Sequence, residues 1–332
     1  MYDIIDYNEI NDNSILIDVR TKEEYDDFHI PTALSLPILN YEERKVVGTL
    51  YDNGEKDLAK LEAIRFASAK LNEFMKCILA HKDKKIVFYC SRGGFRSKSI
   101  SGLFFNLGYN VCQLKGGIKH YRHIVNNELP SLIENINLIA LYGPTGAGKS
   151  KILDILKNHY PIINLEQLAN HKGSVLGSIG MGQANSQKMF EAYLYEHLKK
   201  SKSNSFLIEG ESKRIGNIVL PQNLWEKMQE AKKIYINSPI DNRIDRLVKD
   251  YVNQSSDEAL ISALQNIKKY ISSENFENII SSIKSKEYKQ AAEILCKKYY
   301  DHNYKFRPDE DTIVLENKND ALCAKEILKI IN

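Results

Sequence analysis

No run of about 18 consecutive apolar residues occurs in this chain of 332 residues, so no membrane-spanning helix is expected. A basic start is missing too. The chain opens Met1-Tyr2-Asp3-Ile4-Ile5-Asp6, with acids where a signal peptide carries positive charge, and a cytoplasmic location is the expectation. Charge of one sign is not in excess: 46 basic and 43 acidic residues leave a net charge of +3. Any nucleic-acid contact must therefore come from a local patch. The five cysteines, Cys77, Cys90, Cys112, Cys296 and Cys323, are scattered and odd in number. They form neither a disulfide framework nor metal-type spacing, and in a reducing compartment they are thiols. Internal repeats and long low-complexity tracts are also absent.

The bulk composition, 43% apolar and 27% charged, is that of a globular protein, and the length suits about two domains. Apolar runs at 14–19, 85–89 and 110–114 read as strands. Thr21 with Glu24 forms a capping box ahead of a helix. Helical spacing over 96–107 stops at Gly108. Strands alternating with helices predict a parallel sheet. A second α/β unit opens at 138–142 and continues with strands at 206–209, 233–236 and 312–315; residues 241–300 are helical and Lys-rich, and a terminal helix follows. The predicted organisation is a parallel-sheet domain at 1–127, a linker at 128–137 containing Pro130, and a second domain at 138–332 with a helical C-terminal segment.

Two anion cradles stand out. Gly143-Pro144-Thr145-Gly146-Ala147-Gly148-Lys149-Ser150 fits the pattern G-x-x-x-x-G-K-S/T between a strand and a helix, the context in which backbone N–H groups encircle phosphate. Lys149 would reach terminal phosphate oxygens, and Ser150 could hold magnesium. The ligand is an NTP by default, but any diphosphate meets the same donors. Glu209, at a strand end, is a metal-proximal acid or a surface carboxylate. Arg243 and Arg246 share a helix face, either over a phosphate or in solvent. Gly143, Thr145, Gly146, Ala147, Gly148, Lys149, Ser150 and Glu209 are the candidate ligand-binding residues.

The other cradle is Cys90-Ser91-Arg92-Gly93-Gly94-Phe95-Arg96-Ser97, between a strand and a helix. Inward N–H groups and the helix N-terminus lower a thiol pKa. Cys90 is the candidate nucleophile, and Arg92 and Arg96 are candidates for holding an oxyanion. His29 reads as a packing and hydrogen-bonding residue.

Asp18-Val19-Arg20, His29-Ile30-Pro31, the loop 90–96 and Leu114-Lys115-Gly116-Gly117 together resemble the rhodanese fold. A rhodanese domain followed by a P-loop NTPase-like α/β domain resembles the tRNA 2-selenouridine synthase family. Glu43-Arg44-Lys45-Val46-Val47-Gly48-Thr49-Leu50-Tyr51 resembles that family's insertion. Residues 165–174 and Glu209-Gly210-Glu211-Ser212-Lys213-Arg214-Ile215-Gly216 resemble its two later signatures. Lys172 and Lys213 stand where arginine is expected, and Gly210 where an acid is expected.

The resemblance implies a selenium and geranyl transferase acting on the anticodon loop of tRNAs for lysine, glutamate and glutamine. Their wobble 2-thiouridine is S-geranylated by geranyl diphosphate, and selenophosphate then replaces the geranylthio group. Cys90, Arg92, Arg96 and Lys149 would be catalytic, and Ser150 stays the candidate ligand for a magnesium ion. Cys90 would serve selenium delivery or accept a displaced group. Two other readings remain open: a cysteine-dependent phosphatase fused to a kinase, suggested by the spacing of Cys90 and Arg96, and an NTP-switched tRNA-binding sulfur carrier. For the latter, the Lys-rich segment 267–300 with its tyrosines offers an RNA face or a solvated helix pair.

Overall fold

The computed structural model describes residues 2–174, 176–177, 182–210 and 212–331. It is mixed α/β and divides into two compact units, Met1–Leu129 with Glu191–Tyr193, and Pro130–Phe190 with Leu194–Asn332.

In the first unit five strands, β1 (Ile4–Ile5), β2 (Ser14–Asp18), β3 (Leu34–Ser35), β4 (Lys85–Tyr89) and β5 (Val111–Leu114), form a sheet of order β1-β5-β4-β2-β3. Every pairing is parallel. The continuous apolar run of β4 follows from burial on both faces of such a sheet, with Phe88 packed among Phe74, Ile78, Ile100 and Phe104. Asp18 is in register with Tyr89. The carboxyl ends of β2 and β4 thus bring Asp18 and Cys90 to one edge. The insertion resemblance at 43–51 lies on the helix Tyr41–Asp52, which is followed by the helices Lys56–Ser68 and Leu71–Ala80.

The expected linker at 128–137 is mostly helix. The division between the units falls inside the helix Gly117–Glu134, with Pro130 in its interior. Ile118, Tyr121, Val125, Leu129 and Ile133 are all buried. They recur at helical spacing, and burying that stripe outweighs the hydrogen bond lost at Pro130.

The second unit contains β6 (Asn137–Tyr142), β7 (Ile162–Ile163), β8 (Ser205–Glu209), the hairpin strands β9 (Arg214–Ile215) and β10 (Ile218–Val219), β11 (Lys232–Asn237) and β12 (Ile313–Glu316). Its main sheet has order β12-β11-β6-β8-β7 and is parallel throughout. Central β6 has β11 on one side and β8 on the other. Connections diverge at its carboxyl end, where open α/β sheets place ligands. The phosphate-loop helix Lys149–Leu156 and the terminal helix Asp320–Ile331 share a core of Ile152, Leu153, Leu156, Cys323, Ala324 and Ile327. The helices Ile240–Tyr251, Asp257–Leu264, Ser273–Lys284 and Tyr288–Leu295 surround a separate core that includes Leu264, Ile279 and Leu295. Among the described residues no helix is long and apolar enough to cross a membrane.

Candidate functional site

The phosphate loop runs from the end of β6 to the helix at Lys149. Three of its carbonyls are held from outside. Arg243 Nε donates to Thr145 O (2.9 Å), Arg246 Nη1 to Gly146 O (3.1 Å) and Asn317 Nδ2 to Ala147 O (2.8 Å). A trans peptide points its N–H opposite to its C=O, so the N–H groups of Gly146 and Gly148 face the other way, into the cradle. Ala147 N–H instead closes the turn on Pro144 O. The donors are themselves anchored. Arg243 makes a fork with Asp301 (2.5 and 3.0 Å), and Arg246 bonds Asp320 (2.8 Å) and Ser238 Oγ (2.9 Å). Arg243 and Arg246 therefore do not lie in solvent; both brace the loop, and Arg246 also lines the cavity beside it.

Lys149 Nζ donates to Gly143 O (2.6 Å) and would exchange that carbonyl for a ligand oxygen. Ser150 Oγ lies 3.0 Å from Glu209 Oε1 and 2.9 Å from Glu166 Oε2, and Glu209 is fully buried. Among the described residues no group of three or more His, Cys, Asp or Glu is arranged to hold a metal ion. A magnesium ion would instead take one hydroxyl and carboxylate oxygens here, with the remaining positions filled by a diphosphate and water. This hard-oxygen donor set suits it.

A cavity of about 1110 Å³ opens beyond the loop. Its wall includes Tyr142, Trp225, Arg246, Tyr304 and Phe306. Gly210 lies flat against Tyr142, and a Cβ there would come within 2.5 Å of the ring. An acid at 210 would have to displace this ring. Lys172 lines the cavity, donates to Asp250 O (3.2 Å) and sits over the Tyr251 ring. Lys213 bonds Gln222 and is not part of the cavity wall. Glu211, in the second signature, lies outside the described residues.

In the first unit Cys90 directly follows β4, with its side chain buried. The loop is seated on Gly117, where a Cβ would lie 2.2 Å from Cys90 O. Ile118 N donates to Cys90 O (2.9 Å), and Lys119 N to Ser91 O (3.1 Å). Ser97 Oγ donates to Cys90 Sγ (3.2 Å). Burial works against a thiolate here. The Ser97 hydroxyl and N–H, the Arg96 charge and the Arg92 N–H outweigh it, and the Cys90 pKa falls below the usual thiol range. Burial instead pushes Cys112, Cys296 and Cys323 up to about 11. Cys90 is thus set apart by its hydrogen bonds.

Arg92 is exposed at the loop. Arg96 is already engaged: Nη1 donates to Glu24 Oε2 (2.6 Å), and Nη2 to Glu24 Oε1 (3.3 Å) and Ser91 Oγ (3.0 Å). Burial raises the Glu24 pKa, but Arg96, the Thr21 N–H and Arg44 overcome this and hold it at about 2. An incoming anion would compete with Glu24 for Arg96. Buried Asp18 and Arg20 pair at 2.6 Å beneath this edge. His29 stacks on Tyr25 with centroids 3.9 Å apart, and its Nδ1 lies 2.8 Å from Tyr25 O, a packing role.

Replacing Ser97 by alanine removes the hydroxyl that stabilises the thiolate, so the Cys90 titration midpoint should rise toward the ordinary thiol value. Thiolate absorbance against pH, taken as the difference from a Cys90→Ser variant, measures this. An unchanged midpoint would remove Ser97 from the explanation.

In the Lys-rich segment three of the seven lysines are paired with acids. Lys286 pairs with Asp257, Lys289 with Asp245 and Lys297 with Glu293. Tyr300 is a core residue, although Tyr270 is exposed. Asp301, Tyr304, Phe306, Asn317 and Asp320 carry no motif; only the fold returns them to the loop. Glu166 did carry a signal, an acid in the first turn of the first signature.

Family models match both units: "tRNA 2-selenouridine synthase AAA domain" over residues 136–328 and "Rhodanese-like domain" over residues 7–123. A tRNA 2-selenouridine synthase of Nitrosomonas eutropha is 32% identical over 246 residues, covering 71% of this chain and 63% of the relative. This chain thus spans less than two thirds of that relative's length. One from Bdellovibrio bacteriovorus is 32% identical, with 75% and 67% covered. One from Pseudomonas putida is 26% identical over 100% of this chain and 99% of its own length.

Proposed function

Because the chain belongs to the tRNA 2-selenouridine synthase family, we propose that it converts 2-thiouridine at the wobble position of tRNA to 2-selenouridine, in two group transfers. The observation that carries this reading is a thiolate-stabilising Cys90 loop in the same chain as a braced phosphate loop that opens on a cavity of about 1110 Å³. Pockets for one small ligand span roughly 300–1,000 Å³, so this cavity suits a lipid diphosphate beside a nucleobase.

In the first transfer the thiocarbonyl sulfur attacks C1 of geranyl diphosphate. The S–C1 bond forms, the C1–O bond breaks, diphosphate leaves and the base loses its N3 proton. Charge develops on the departing oxygen, where the loop N–H groups and Lys149 are preorganised to receive it. A magnesium ion held by Ser150 beside Glu209 and Glu166 would add positive charge against the diphosphate. Alkylation turns a poor leaving group into a good one.

The second transfer is assigned to the Cys90 loop. The thiolate adds at C2 and expels geranylthiolate. The selenium of selenophosphate then displaces the cysteine sulfur, and water cleaves the P–Se bond to release phosphate. Arg92, and Arg96 once released from Glu24, would hold the selenophosphate oxygens.

Incubation of thiolated tRNA with the protein and geranyl diphosphate should give S-geranyl-2-thiouridine, and further addition of selenophosphate should give 2-selenouridine. Mass analysis of the digested nucleosides reads both products. Unchanged 2-thiouridine under every condition would remove the reading.

A further inference from the structure

We propose that the strap Tyr304-Lys305-Phe306-Arg307 is an RNA grip that stacks an unpaired nucleobase against Phe306, over the phosphate loop. The proposal rests on the reading above and assigns the place where the RNA meets the diphosphate site.

The first observation is how the strap is tied down. Tyr304 Oη accepts a hydrogen bond from Gly143 N (2.8 Å), the first amide of the phosphate loop. The strap and the cradle are thereby held as one piece. The second is the aromatic shelf. Tyr142 and Tyr235 are register partners on β6 and β11. Phe306 lies flat on Tyr142 (3.9 Å between centroids, 6° between planes) and close to parallel with Tyr235 (5.9 Å, 19°). Tyr142 is buried, whereas Phe306 is only partly covered and lines the cavity. Its ring is thus immobilised on one side and available on the other, which is what a stacking platform requires.

The third observation is charge. Lys305 and Arg307 flank Phe306 in sequence, are exposed and line the same cavity. Arg307 Nη1 folds back on the carbonyls of Tyr304 and Phe306, which fixes its direction. An aromatic platform between two cations matches a base and its flanking phosphates. An isoprenoid chain would gain from the ring but not from the cations, so the chemistry favours RNA as the occupant of this end. The chain's departure at Gly210 fits the same picture. Any side chain there would collide with Tyr142 and push the shelf off its seat.

The test uses the full chain and a labelled anticodon stem-loop RNA carrying 2-thiouridine at the wobble position. Phe306→Ala should weaken RNA binding about 5- to 150-fold, the range for one lost stacking partner, and Phe306→Tyr should restore it. Binding of inorganic diphosphate should stay at the wild-type value in both, and thermal unfolding should remain one cooperative transition above the assay temperature, which separates lost stacking from lost fold. Lys305→Gln and Arg307→Gln should each flatten the salt dependence of RNA affinity by about 0.7–0.9 in log–log slope. Unchanged RNA affinity in Phe306→Ala overturns the proposal. So does a variant that loses affinity for geranyl diphosphate but not for inorganic diphosphate or RNA, because the ring would then hold the prenyl chain. If Phe306→Ala weakens RNA binding although the wild type forms no modified nucleoside, the grip stands and the selenation reading falls.

Discussion

Lys149→Ala should slow prenyl transfer by about 10²–10³-fold, the usual cost of removing one preorganised donor from a developing anion. The physical basis is specific. Among the described residues Lys149 Nζ bonds only a loop carbonyl, Gly143 O, so its loss leaves the braces from Arg243, Arg246 and Asn317 in place. The cradle should therefore keep its shape and still bind diphosphate, though more weakly. The effect should fall on the chemical step. Arginine should not restore the rate, because its planar fork cannot take the position of a compact ammonium. Single-turnover formation of S-geranyl-2-thiouridine, with calorimetry of inorganic diphosphate binding, measures both parts. A rate within a few-fold of wild type would mean that the leaving group is stabilised elsewhere.

Cys90→Ala should give the opposite division: geranylation at the wild-type rate and selenation lowered by about 10³-fold or more, as for loss of a nucleophile. Geranylated RNA should accumulate. The alanine removes one sulfur from a loop that Ile118, Lys119 and Gln113 hold through backbone oxygens, so the unit should remain folded, and Cys90→Ser gives a second check. The pH profile adds an independent constraint. The lowered thiol pKa keeps the thiolate populated to lower pH than an ordinary cysteine allows. The acid limb of selenation should therefore lie below the usual thiol range and move up in Ser97→Ala. Wild-type selenation in Cys90→Ala would end the assignment of that step to this loop.

The strand-to-loop-to-helix context of both cradles was legible in the chain. The run 85–89 is the observed β4, and Thr21 caps its helix with Glu24 as the capping box requires. Such features are local: a few consecutive residues set the backbone and the donors together. The engagement of Arg96 was hidden, because its partner Glu24 is 72 positions away and had already been explained as a cap. The division between the units falls at Pro130, inside the expected linker, but the helix that runs through it was hidden, because a proline is a local signal whereas the buried stripe from Ile118 to Ile133 extends over the whole helix.

By itself the sequence determined the two parallel-sheet units, the thiol at the end of one strand and the phosphate loop at the end of another. These follow from periodicity and from motifs a few residues long. Only the tertiary structure decided what holds the loop open and what faces it. Arg243, Arg246 and Asn317 reach three successive carbonyls from 98, 100 and 170 positions away, and Phe306 crosses back to Tyr142. Contacts of that range carry no spacing to read, because they exist only once the sheet has brought β12 and the C-terminal helices beside β6 and β11.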